Sequence, residues 1–244
     1  MKYLINKPNL SNLEKKYVLN ALKTTWLSSN GSNTKIFESK FSKITKNKYS
    51  LAVQSGTAAL HLALKSLGVK KGNKVIVPNY TCVSNLSSVS QCGAKSILVD
   101  IEQDTFGLDY NLVLKAINKF RPKALQLVHV YGFPARDTIK IIKICKKRNI
   151  KIIEDTSESL GAKLNNKMVG TFGDINVTSI RSEKMIGVGE GAVISTRNKK
   201  IFENISLLAS RSAPFRKSTD PYWKKYYVVG EGYNYLMPHL LGSV

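Results

Sequence analysis

Three short segments carry residue types suited to holding an anionic or electrophilic ligand. In Gln54-Ser55-Gly56-Thr57-Ala58-Ala59-Leu60 an apolar run ends in a glycine turn and a helix start. Backbone N–H groups at a helix N-terminus, joined by a hydroxyl, make a phosphate site. The same residues also read as an ordinary strand–helix turn with Thr57 capping the helix, and the GxxxxGK[ST] spacing is absent. In Ile152-Ile153-Glu154-Asp155-Thr156-Ser157-Glu158 an apolar run ends in three carboxylates. A carboxylate there can pair with a cationic ring nitrogen or cap a helix. A metal finds neither histidine nor further oxygen ligands. In the span from Thr178 to Gly191, Lys184 precedes Gly187, Gly189 and Gly191, which allow close backbone approach to something bulky. That GxGxG run precedes a strand rather than a helix, which argues against a dinucleotide fingerprint.

The elements that must position these segments follow from hydrophobic patterning. From Leu51 onward, short β-rich runs alternate with amphipathic stretches. The runs are Leu51–Val53, Val75–Val77, Ser96–Val99, Ala124–Val130, Ile150–Ile153, Ile175–Ser179 and Ala192–Ser195. Helices are predicted at Thr57–Leu67, Cys82–Gln91, Tyr110–Lys119 and Thr138–Arg148. Alternation of this kind builds right-handed βαβ units, hence a mainly parallel sheet flanked by helices, with ligands bound beyond the carboxyl ends of the strands. All three segments begin where a predicted strand ends. Residues 1–50, with Leu13, Val18 and Leu22 at helical spacing, read as an N-terminal helical arm; residues 51–230 read as the main domain, and Asp220–Tyr227 as an exposed connection.

Composition narrows the classes of function. The 244 residues are 43% hydrophobic, enough to bury a core. The net charge of +22 invites a nucleic-acid reading, but 31 of the 38 basic residues are lysines scattered from Lys2 to Lys225, and arginine is the residue that reads bases in a fork. A lysine-biased surface around a site for anionic phosphates is the preferred reading, with no nucleic-acid partner. Cys82, Cys92 and Cys145 form no CxxC pair, and the histidines stand apart, so a reducing cytoplasm is expected and metal catalysis is not. No apolar run reaches membrane-spanning length, so no membrane partner is expected.

Taken together, a phosphate cradle, an acid 29 residues before a lysine, and a serine five residues before that lysine are the parts that hold pyridoxal phosphate. The acid keeps the ring nitrogen protonated and the lysine bonds the aldehyde. The runs SGTAALHLAL (Ser55–Leu64), VPNYTCVSN (Val77–Asn85), VHVYGFPARD (Val128–Asp137), EDTSESLGA (Glu154–Ala162), VGTFGDINVTSIRSEKMIGVGEGAVIST (Val169–Thr196) and EGYNYLMPHL (Glu231–Leu240) occur in this order. In these motifs the chain resembles the DegT/DnrJ/EryC1/StrS sugar aminotransferases, in particular their perosamine synthetase branch.

The resemblance implies an α/β fold of type I, the aspartate aminotransferase-like large domain of pyridoxal-phosphate enzymes. It implies that Lys184 is the catalytic lysine and Asp155 the partner of the ring nitrogen. Gly56, Thr57 and Ser179 would bind the phosphate, and Glu158 stands where the family usually has glutamine near the ring hydroxyl. Cys82 stands where an aromatic residue often stacks on the ring, and Leu236 where GYNYRM has arginine. Asn234 would reach the cofactor phosphate of a neighbouring subunit, which implies a homodimer with shared sites. Residues 231–244 would begin the connection to a smaller C-terminal domain that the chain lacks. The implied reaction is amino transfer from an amino acid, glutamate in the family, to a nucleotide-linked 4-keto-6-deoxy sugar in polysaccharide biosynthesis. Lysine rather than histidine at position 184 favours transfer over dehydration. The competing expectation is a truncated, catalytically silent fragment or partner subunit of the same fold.

Overall fold

The structure is a computed structural model that describes residues 8–213 and 227–244. Strands β1 (Tyr49–Val53), β2 (Lys74–Pro78), β3 (Lys95–Val99), β4 (Ala124–Val128), β5 (Lys151–Asp155), β8 (Ile175–Ser179) and β9 (Ala192–Thr196) form one sheet in the order β1-β9-β8-β5-β4-β2-β3. Only β9 runs against the others; β5, for example, pairs in parallel with β4 and β8. A small hairpin, β6 (Lys163–Leu164) with β7 (Lys167–Met168), stands outside the sheet. Every predicted strand is present within a few residues. The strand predicted to reach Val130 stops at Val128, because Val130–Gly132 turns in a 3-10 coil with Tyr131 at φ +51°.

Two cores lie on opposite faces of the sheet. Helices α3 (Gly56–Ser66), α4 (Val83–Gln91) and α7 (Lys199–Ala209) enclose one, with Leu62, Val77, Ile153 and Ile205 inside. Helices α5 (Tyr110–Phe120) and α6 (Thr138–Lys147) enclose the other, with Ile76, Leu125, Ile141 and Ile152. Successive side chains on a strand point to opposite faces. Ile153 and Ile152 therefore enter different cores, and so must Asp155 and Glu154 beyond them. Both faces being covered explains why the central strands read as continuous apolar runs rather than alternating ones.

The arm consists of α1 (Asn12–Lys23), opened by a capping box between Ser11 and Glu14, and α2 (Ser32–Thr45). Helix α2 grips the sheet edge: the Glu38 carboxylate accepts the Ala52 N–H of β1 at 2.8 Å, and Phe41 is buried against Ile180, Val193 and Met237. Sequence patterning assigned no helix to Lys199–Ala209, although Asn198 caps it by accepting the Ile201 N–H and Ile201, Ile205 and Leu208 carry helical spacing. The stretch Asp220–Tyr227 falls outside the described residues except for Tyr227. Among the described residues, no helix is long and apolar enough to cross a membrane.

Candidate active site

A cavity of about 490 Å³ opens beyond the carboxyl ends of β1, β2, β4, β5 and β8. Each strand end delivers one part of its wall. The turn after β1 is the first. Ser55, not Thr57, caps α3: its hydroxyl accepts the Ala58 N–H at 3.2 Å, which leaves the Thr57 hydroxyl on the cavity wall, donating to Ser84 Oγ at 3.0 Å. The capping role assigned to Thr57 is thereby corrected, because the helix begins one residue earlier at Gly56. A Cβ on Gly56 would stand 3.4 Å from the Ser179 Cβ and 3.6 Å from its Oγ, filling the gap between the α3 N-terminus and the end of β8. Glycine keeps that gap open to a ligand. Free N–H groups and three hydroxyls, those of Ser55, Thr57 and Ser179, converge there, which is the composition of an anion cradle.

The end of β5 supplies Asp155, 5% exposed and in the cavity wall. The Asn85 side chain donates to its Oδ2 at 3.1 Å and the Ser157 N–H to its Oδ1 at 3.0 Å. No helix follows β5, so Asp155 caps none. Asn85 is itself fixed. Its side-chain oxygen accepts from Thr81 at 2.9 Å, and its carbonyl accepts the Gln126 amide at 3.2 Å. Two neutral donors leave carboxylate lone pairs on Asp155 that can take a further N–H from the cavity.

Lys184 lies in the β8–β9 loop, closed by the bonds from Ser182 N–H to the Gly189 carbonyl (3.0 Å) and from Lys184 N–H to the Arg181 carbonyl (2.8 Å). Its Nζ donates to Glu158 Oε1 at 3.1 Å. The other oxygen of Glu158 accepts the Tyr131 N–H at 3.1 Å, so the carboxylate ties the lysine to the end of β4. Tyr131 in turn shares a 2.9 Å hydroxyl contact with Tyr80, which raises the Tyr80 phenol above its ordinary pKa. Cys82, exposed at the head of α4, lies in the same wall with its thiol 3.4 Å from Ser84 Oγ.

The structure thus brings Gly56, Thr57, Cys82, Asp155, Glu158, Ser179 and Lys184 to one cavity. Asn234 is not among its lining residues. It is exposed and pairs with Ser210 in an isolated bridge. Sequence reasoning missed Ser55, Tyr80, Asn85, Tyr131, Ser157 and Arg181, all in the wall. Ser55 had a visible signal, three residues before Ala58 at a strand end. Asn85 had none, because its partner lies 70 residues away. Among the described residues, the charged side chains of the wall are Asp155, Glu158, Glu183 and Glu190 against Arg181 and Lys184.

A mainly parallel sheet covered on both faces, with a lysine, a buried aspartate and a hydroxyl-lined helix start at its carboxyl edge, defines the large domain of a fold type I pyridoxal-phosphate enzyme. The chain belongs to the DegT/DnrJ/EryC1/StrS aminotransferase family, whose sequence profile matches residues 8–244. It is 35% identical to a GDP-perosamine synthase of Escherichia coli O157:H7 over 245 aligned positions, 100% of this chain and 65% of that protein. It is 33% identical to the Vibrio cholerae GDP-perosamine synthase over 98% of this chain and 63% of that one. The chain therefore spans about two thirds of the length of these relatives. Among solved structures, GDP-4-keto-6-deoxymannose-3-dehydratase with a trapped PLP–glutamate adduct superposes with a TM-score of 0.89 at 29% identity, covering 99% of this chain and 66% of that one. 3-Amino-5-hydroxybenzoic acid synthase superposes equally well at 27% identity, over 97% and 60%. The donor set fits the family's cofactor: an acceptor for a ring N–H, a primary amine, and a cradle for an anion.

Proposed function

We propose that the chain acts as a pyridoxal-phosphate-dependent aminotransferase, with a nucleotide-linked keto-sugar of the 4-keto-6-deoxy type as amino acceptor and an amino acid, glutamate, as donor. The observation that carries this is the convergence of Lys184, Asp155 and the α3 N-terminus on one cavity. The names of the synthase relatives support the sugar class, and the glutamate adduct named for the dehydratase structure supports the donor.

Asp155 accepts the ring N–H and keeps that nitrogen positively charged. The α3 N–H groups with Thr57 and Ser179 hold the phosphate. Bound in this way, the cofactor supplies an aldehyde to exchange with amines and a ring that withdraws electrons. Lys184 would hold the cofactor through its Nζ, and that amine, when free, would take the donor's Cα proton and hand it on as a general acid. Glu158 steers that nitrogen, since it already holds it at 3.1 Å and is fixed by the Tyr131 N–H. The GYNY motif at Asn234 supports, by its family resemblance, a homodimer in which Asn234 serves the neighbouring site.

Loading the purified chain with pyridoxal phosphate and adding glutamate tests the reading. A yellow absorption should form, bleach with glutamate, and return when a GDP-linked 4-keto-6-deoxy sugar is supplied, the alternation expected of ping-pong kinetics. Absorption that forms but never bleaches would instead mark a silent, cofactor-holding partner subunit.

A further inference from the structure

Among the described residues two cations stand in the cavity wall, and Lys184 is engaged by Glu158. Arg181 is the other. Its Nε lies 3.1 Å from Glu190 Oε1 and its Nη1 3.4 Å from Glu183 Oε1, while its side chain remains 59% exposed. It lies two residues beyond Ser179, on the loop that carries Lys184.

The charge balance makes this arginine more than a staple of its loop. A substrate linked through a diphosphate must bring an oxyanion into a wall where, among the described residues, four carboxylates stand with two cations. Attraction from charges outside the wall is screened beyond roughly 10 Å. A guanidinium matches two phosphate oxygens in a fork, and its present partners are solvent-exposed ion pairs that cost little to give up.

We propose that Arg181 is the diphosphate-binding residue of the substrate site, held by Glu183 and Glu190 until the nucleotide-linked substrate displaces them. The proposal rests on the nucleotide-sugar reading above. It assigns Glu190 a competing role, because that carboxylate occupies the guanidinium edge the phosphate would take.

The test uses the full chain, loaded with pyridoxal phosphate and unloaded, titrated calorimetrically with GDP and, in a second arm, with glutamate. Arg181→Gln should weaken GDP by at least about tenfold, the usual loss for a charge-assisted hydrogen bond, while cofactor affinity and the glutamate arm stay unchanged. Arg181→Lys should recover only part of the loss, and Glu190→Gln should tighten GDP several-fold. If Arg181→Gln binds GDP like the wild type, or loses GDP, cofactor and thermal stability together, Arg181 is a loop staple and the proposal fails. Wild-type chain that binds cofactor but no GDP overturns the proposal and leaves the cofactor reading intact. Chain that binds no cofactor yet loses GDP on Arg181→Gln does the reverse.

Discussion

Glu154 and Asp155 are neighbours on β5, both buried, and the two faces of that strand treat them differently. Behind the sheet, Glu154 is saturated. Its oxygens accept the backbone N–H groups of Gly170 (2.8 Å), Phe172 (2.6 Å) and Gly173 (2.7 Å) and contact His129 Nε2 at 3.2 Å. The Ala135 N–H donates to His129 Nδ1, so Nε2 carries the ring proton and donates to Glu154. Gly170 sits at φ +83°, and a Cβ there would come 2.7 Å from the Asn176 side chain, so the turn that delivers these donors admits only glycine. On the cavity side, Asp155 has two donors and room for another. A carboxylate with all its acceptor sites filled by the fold serves the fold, whereas one left partly open is available to a ligand.

The contrast predicts a separation between losing the fold and losing the ligand. Glu154→Ala leaves three backbone donors and His129 without their acceptor, and should cost roughly 3–5 kcal/mol in urea unfolding. Asp155→Ala should cost far less stability yet reduce pyridoxal phosphate affinity by about 10–100-fold in absorbance titrations, the loss of one charged hydrogen bond. If the two variants behave alike, the distinction between the faces is wrong.

A third prediction concerns a carboxylate that lies between these extremes. Burial, the largest influence, raises the Glu38 carboxyl to about 7 despite the Ala52 N–H and the nearby Lys35. Its folded pKa lies above the ordinary glutamate value of 4.5, so its contribution is fully present below pH 4.5 and is lost as pH rises through about 7. Unfolding free energy should fall by roughly 1–3 kcal/mol across that window, and Glu38→Gln should flatten the slope. The smallest effect is kinetic. Burial pushes the Cys92 thiol to about 11 and the Cys145 thiol to about 12, while Cys82 is exposed in the cavity wall. A thiol reagent should label Cys82 alone in the folded chain, and bound cofactor should slow that labelling.

Much of this was legible in the sequence, for reasons that also show where legibility ends. Short β-rich runs leading to Gln54, Asp155 and Ser179 located the strand ends, and the alternation of runs with helices placed them at one edge. The choice between Glu154 and Asp155 depended on which face each residue takes, and Ile152 and Ile153 are both apolar because both faces are covered. Strand periodicity therefore carried no signal there, and only the family motif distinguished the two acids. The links from Asn85 to Asp155 and from Tyr131 to Glu158 span 70 and 27 residues and join different strand ends, so no local pattern could announce them. A total of +22 likewise says nothing about the cavity wall, where Asp155, Glu158, Glu183 and Glu190 stand among the described residues.

The central claim, that one lysine of 31 carries the cofactor, has a direct test. The chain is loaded with pyridoxal phosphate, reduced with borohydride to fix the cofactor to its lysine, and digested for peptide mass analysis. The account predicts the modification on the peptide containing Lys184, and none in Lys184→Ala, which should still fold because the Lys184–Glu158 pair is partly exposed. Label on another lysine, or label spread evenly over surface lysines in both proteins, would contradict it.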